Sequence, residues 1–140
     1  MATFNKFNAF VEHIAEGVHN LQTGALVVAL CAAASAPVAG NSVLADLTPI
    51  SYTNLSSRAV TTSSSSQTSG TYKLVCADLV LTASGGSVAA FRYVVLYNDT
   101  PTSPADPLIA YWDYGYDLTL ANGETFTIDF DGSNGVLQIA

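Results

Sequence analysis

Phe4, Phe7, Val11, Ile14, Val18 and Leu21 recur at intervals of three and four residues, the spacing that stacks side chains on one face of an α-helix. The pattern predicts an amphipathic helix over residues 4–20, with Thr3 as its N-cap and Gly24 just past its end. Asn5, Lys6, Glu12, His13, Glu16 and His19 fall on its polar face. His13 and His19 are six residues apart and off a common helical face, which reads them as solvated or edge-packed rather than as a metal pair. A stripe this regular packs on the chain's own core; docking on another subunit is the alternative.

From Gly24 onward the period falls to two, predicting strands over 26–32, 43–50, 58–62, 71–82, 90–98, 108–114, 117–120, 125–130 and 136–139. Gly40-Asn41, Gly115, Asn122-Gly123 and the SGGS and GSNG runs at 84–87 and 132–135 separate them with residues that tolerate positive φ. Leu118, Leu120, Phe126, Ile128 and Phe130 alternate with Thr119, Thr125, Thr127 and Asp129, predicting a hairpin with one wet face. Residues 90–98 are apolar on both faces at their middle, which belongs at the centre of a sheet, and 71–82 read the same way. Residues 61–70, TTSSSSQTSG, hold no apolar anchor and predict a mobile exposed loop. Residues 98–107 carry Pro101, Pro104 and Pro107, predicting a rigid projecting loop. With no internal repeat, residues 1–140 read as one mainly β domain, an antiparallel β-sandwich or jelly-roll-like barrel with one N-terminal amphipathic helix.

Charge narrows the partners. Only 11% of residues are charged, where about 25% is usual, and the formal net charge of −7 disfavours a grip on nucleic acid or an anionic membrane. The apolar run at 24–40, GALVVALCAAASAPVAG, imitates a signal peptide with its Ala34-Ser35-Ala36 site, but its flanks lack the basic n-region and Pro37 interrupts it before a bilayer's length. A buried strand ending in a small-residue loop is the plainer reading. Cys31 and Cys76 show no metal-binding spacing; they read as buried thiols, with a disulfide as the alternative.

No phosphate loop, HExxH or GxSxG occurs in the chain, so no catalytic, cofactor-binding or metal-ligating residue is assigned and no cofactor is expected. Asp113, Asp117, Glu124, Asp129 and Asp131 cluster late, but a glycosidase pair needs separations of about 5–9.5 Å that spacing alone does not fix. Residues 129–135, DFDGSNG, suggest a calcium loop without its closing Glu; a turn rich in Asx and Gly accounts for them. The run Tyr111-Trp112-Asp113-Tyr114-Gly115-Tyr116 fits a core strand with hydroxyls at the rim. Exposed, the same rings suit a protein interface or sugar stacking.

The N-terminal segment with Phe4, Phe7, Phe10 and 18–21 (VHNL), together with 43–48 (VLADLT), 91–100 (FRYVVLYNDT), 109–115 (IAYWDYG), 123–126 (GETF) and 131–137 (DGSNGVL), resembles a family of small virion structural proteins of tailed bacteriophages. The resemblance implies a non-enzymatic role in the particle, first of all as a head decoration or cement protein. Its partners would be the major capsid protein and copies of itself, with the virion, assembled in the host cytoplasm, as its location. The alternative is a tail or appendage module that binds host-surface glycan through the aromatic run. Interface candidates are Tyr111, Trp112, Tyr114, Tyr116, Pro101, Pro104, Phe4 and Phe7.

Overall fold

A computed structural model describes residues 2–140. The chain starts extended rather than helical. Asn5–Lys6 forms a short strand, β1, paired antiparallel with Tyr111 and Ala110. Phe7 then caps the helix with extended backbone, its N–H donating to Ile109 O at 3.2 Å and its ring fully buried. Helix α1 therefore runs only Asn8–Ala15, and neither Thr3 nor Gly24 bounds it. Gly17, at φ +74°, closes it: its N–H reaches Ile14 O at 3.3 Å while Val18 N–H reaches His13 O at 2.9 Å, the paired bonds of a Schellman motif. The helix packs on the chain's own core through Phe10, with Ile14 beside it.

Strands β2 (Leu26–Cys31), β3 (Thr62–Thr68), β4 (Thr71–Cys76), β5 (Leu79–Thr82), β6 (Phe91–Asn98), β7 (Leu108–Leu118), β8 (Thr125–Ile128) and β9 (Leu137–Ile139) follow. They form three antiparallel sheets ordered β1-β7-β6-β2, β3-β4-β9 and β5-β8. The four-stranded sheet is covered on both faces. Leu26, Val28, Leu30, Val94 and Leu96 join a larger core with Phe10 from the helix, Leu74, Leu81 and Ile128 from the two smaller sheets, and Phe130 just past β8. Ala29, Cys31, Val95 and Tyr97 turn the other way, into a smaller core closed by Phe7, Leu44 and Leu47. The fold is thus mainly β with one helix near the N-terminus, sandwich-like, and no closed barrel forms among the described residues. As its two apolar faces predict, 90–98 is a central strand.

Several elements depart from the pattern for local reasons. The Ser-rich tract is the edge strand β3, held to β4 by a ladder that needs no apolar side chain and turned by Ser69 and Gly70 at φ +51° and +86°, the geometry of a type I′ hairpin. Residues 43–50 form no strand: Asp46 accepts the N–H groups of Ser42 and Val43 at 2.8 and 3.2 Å and winds Leu44–Asp46 into a 3-10 turn. Residues 58–62 contribute a single bridge, Ala59 to Val27, before β3 begins. The 71–82 stretch breaks after Cys76, and Asp78 accepts Phe130 N–H at 3.0 Å. Residues 108–118 are one strand running through Gly115. The expected 118–130 hairpin does not form, because β8 pairs with β5 instead.

Cys31 and Cys76 are free and buried in different cores, which removes the disulfide alternative; burial pushes both thiols up to about 11. No helix among the described residues is long and apolar enough to cross a membrane.

Candidate functional site

The period-two alternation of β7 sends Tyr111 and Trp112 to opposite faces. Tyr111 stacks on Phe7, centroids 5.0 Å apart, in the smaller core. Trp112 and Tyr114 face the other layer, where β8 and the residues after it bring up Phe126, Ile128 and Phe130. Between these two walls runs a groove of about 680 Å³, with Phe4 at one end. Its rings meet edge to face: Phe4 and Phe130 lie 5.7 and 6.2 Å from Trp112, and Tyr114 lies 5.2 Å from Phe126. Such contacts add about 0.5–1.5 kcal/mol each beyond the area they bury.

Past Asp113 the register against β6 shifts. Tyr114 and Tyr116 come side by side there, centroids 4.9 Å apart and hydroxyls 3.3 Å apart, 42% and 60% exposed. A bidentate pair braces this end of the strand. Arg92 donates to both Asp113 carboxylate oxygens at 2.7 and 3.0 Å, and Gly115 N–H adds a third bond at 2.8 Å. The guanidinium beside it holds the Asp113 carboxyl below the usual range.

The other late carboxylates are spread over the end of β7 and the turns around β8 rather than gathered. Asp117 accepts Ala33 N–H, Glu124 accepts Ala121 N–H, and Asp131 accepts the N–H groups of Ser133 and Asn134. Hydrogen bonds from Asn134 are the first cause holding Asp131 below its ordinary value. Asp129 stands exposed on the groove rim. No three His, Cys, Asp or Glu side chains converge among the described residues. What the seam offers chemically is aromatic contact, hydroxyl hydrogen bonding and a negative rim.

The interface candidates separate into three places. Trp112, Tyr114 and Phe4 share the groove, with Tyr116 against Tyr114 at its exposed end. Phe7 is fully buried and Tyr111 half-buried against it, so Phe7 is a core residue and not a surface one. Pro101 and Pro104 are half-buried in a tight turn closed by a bridge between Thr102 and Ala105. That turn precedes β7, while Tyr114 and Tyr116 lie near its far end, about 25 Å away at the rise of an extended strand.

One cluster escaped the spacing argument. Because α1 stops at Ala15, the Gly17 turn returns His19 toward the helix. Its buried ring sits 5.2 Å from Phe10 and 6.0 Å from His13, with Asn98 Nδ2 3.3 Å from its Nδ1. His19 Nε2 and His13 Nδ1 are buried without hydrogen-bond partners in the structure. Burial, and then the His13 imidazole, push His19 down to about 4. The legible signal was Gly17 as a helix stop. No protein-family model matches the chain, and neither a curated protein nor a solved structure matches it.

Proposed function

We propose that this chain is a non-enzymatic structural protein of a tailed-phage virion, a capsid decoration or cement protein that binds the major capsid protein and copies of itself. The observation that supports this most is the open aromatic seam, a groove with exposed tyrosines beside it on a braced strand. Aromatic anchors of this kind dominate protein interfaces. The residues that resemble phage virion proteins include 109–115 on the β7 side of that groove and 91–100 on the neighbouring β6. Repeated over a shell, modest contacts gain through multivalency what none has alone.

A second reading is favoured by one observation: the exposed rings of Tyr114 and Tyr116 lie side by side, a surface on which sugar rings stack. In that case the chain is a tail or appendage module binding host glycan. Cryo-electron microscopy of phage particles carrying the protein tests both. Density for this chain at every capsomer junction, weakened by Tyr114→Ala with Tyr116→Ala, is the expected result. Density confined to the tail, with oligosaccharides quenching Trp112 fluorescence, overturns the decoration reading in favour of the second.

A further inference from the structure

We infer that the open edge of β8 is a strand acceptor, which takes an extended segment of another protein, alternating apolar with Lys or Arg side chains, as a further strand beside β8. The inference rests on reading the aromatic seam as an interface and specifies how its partner is held. β8 is ladder-bonded to β5 alone among the described residues. Across the groove, β7 is ladder-bonded to β1 only at Ala110 and Tyr111, and among the described residues no strand pairs with that flank from Trp112 onward, where Ala2 and Phe4 line the groove. All seven consecutive residues from Thr125 to Asp131 line the groove. A strand presenting one face would contribute every second residue, so β8 turns its edge, with its free N–H and C=O groups, into the space. The space itself, about 680 Å³, lies within the roughly 300–1,000 Å³ of ligand-holding clefts.

The pattern of β8 dictates the pattern of its guest. Ile128 and Phe130 are buried and Phe126 half-buried, whereas Thr125, Thr127 and Asp129 are exposed. A strand laid alongside would place alternate side chains against Trp112 and Tyr114, and the others beside Thr127 and Asp129. The groove lining holds Asp129 and Asp131 and no Lys, Arg or His, so the outward positions of the guest are matched by cations. Lys73 already helps to hold the Asp131 carboxyl down, which leaves Asp129 as the charge the guest meets. Of four Lys and Arg residues, Arg58 is bonded to Val28 O, Lys73 to Ser133 O and Arg92 to Asp113. The fourth, Lys6, already lies in β1. No segment within residues 1–140 offers a basic strand, and the guest is assigned to another protein. β1 shows the docking mode in miniature: two extended residues on the flank of β7 with the Phe4 ring set against Trp112.

The test uses the whole chain and the acetylated, amidated peptide KVKFKVK, read through Trp112, the one tryptophan in the sequence. Saturable change in Trp112 emission is expected with this peptide. Binding should be about tenfold weaker or worse for EVEFEVE, because like charges then face Asp129. It should be lost for the fully N-methylated KVKFKVK, which keeps the side chains and cannot form a ladder. Asp129 is exposed, so Asp129→Lys should leave the unfolding midpoint unchanged while reversing the preference between the two charged peptides. Equal binding of the N-methylated peptide, equal binding of EVEFEVE, or no saturable binding of any peptide overturns the inference. Because no particle enters this experiment, capsid density without peptide binding would remove the strand acceptor and leave the decoration reading. Peptide binding with tail-only density would do the reverse.

Discussion

At His19 a hydrogen-bond chain settles which nitrogen carries the proton. Thr100 N–H donates to Asn98 Oδ1 at 3.1 Å, which turns the Asn98 amide nitrogen toward His19 Nδ1. His19 Nδ1 therefore accepts, and the neutral ring holds its proton on Nε2. A second proton on Nδ1 would set donor against donor beside His13. The folded state thus binds protons less readily than the unfolded chain, with His19 near 4 against its ordinary value of 6.5. Stability from this group is complete above pH 6.5 and is lost as pH falls toward 4, by about 3 kcal/mol through linkage. Chemical denaturation across that range should show this loss, and His19→Gln should flatten it. The carboxyls held below their ordinary values, Asp46, Asp113 and Asp131, also favour the folded state at higher pH, but shifts in that direction act below the range in which the histidine titrates.

At the scale of elements, the Ser-rich hairpin makes the sharpest claim. Gly70 sits at φ +86°, and a Cβ placed there would meet nothing within 4 Å, so the cost of Gly70→Ala is backbone alone. That substitution should lower stability by about 1–2 kcal/mol in urea unfolding, whereas in a mobile loop it would change nothing. The difference shows what local pattern conveys. Strand β6 was legible because its apolar residues occupy both faces wherever it pairs. Strand β3 was not, since the apolar residues that stabilise it, Leu74 and Cys76, belong to its neighbour. Phe4 and Phe7 satisfied a helical period while lying on either side of strand β1, Phe7 as the helix cap, because pairing with residues more than a hundred positions away overrode it. The seam was half legible: alternation placed Trp112 and Tyr114 on one face, but the opposite wall was hidden by the Asn122-Gly123 turn. That turn looks like a hairpin between 120 and 125. Instead Asn122 accepts Gly85 N–H and Gly123 N–H binds Ala83 O, docking it on the residues after β5.

The whole molecule is two cores on one sheet. Because Val94 and Val95, adjacent in β6, belong to different cores, neither core can open far without disturbing the strand that serves both. Phe7→Ala in the smaller core and Phe10→Ala in the larger should each cost about 3–5 kcal/mol, and each should shift one common unfolding transition rather than split it. The cysteines turn this architecture into a pair of clocks. Cys31 marks one core and Cys76 the other, and thiols pushed up to about 11 carry too little thiolate to react while folded. A thiol reagent therefore times each core's opening separately in the unmodified chain. Equal labelling rates at the two sites mean that the sheet yields as one body, and unequal rates name the side that lets go first.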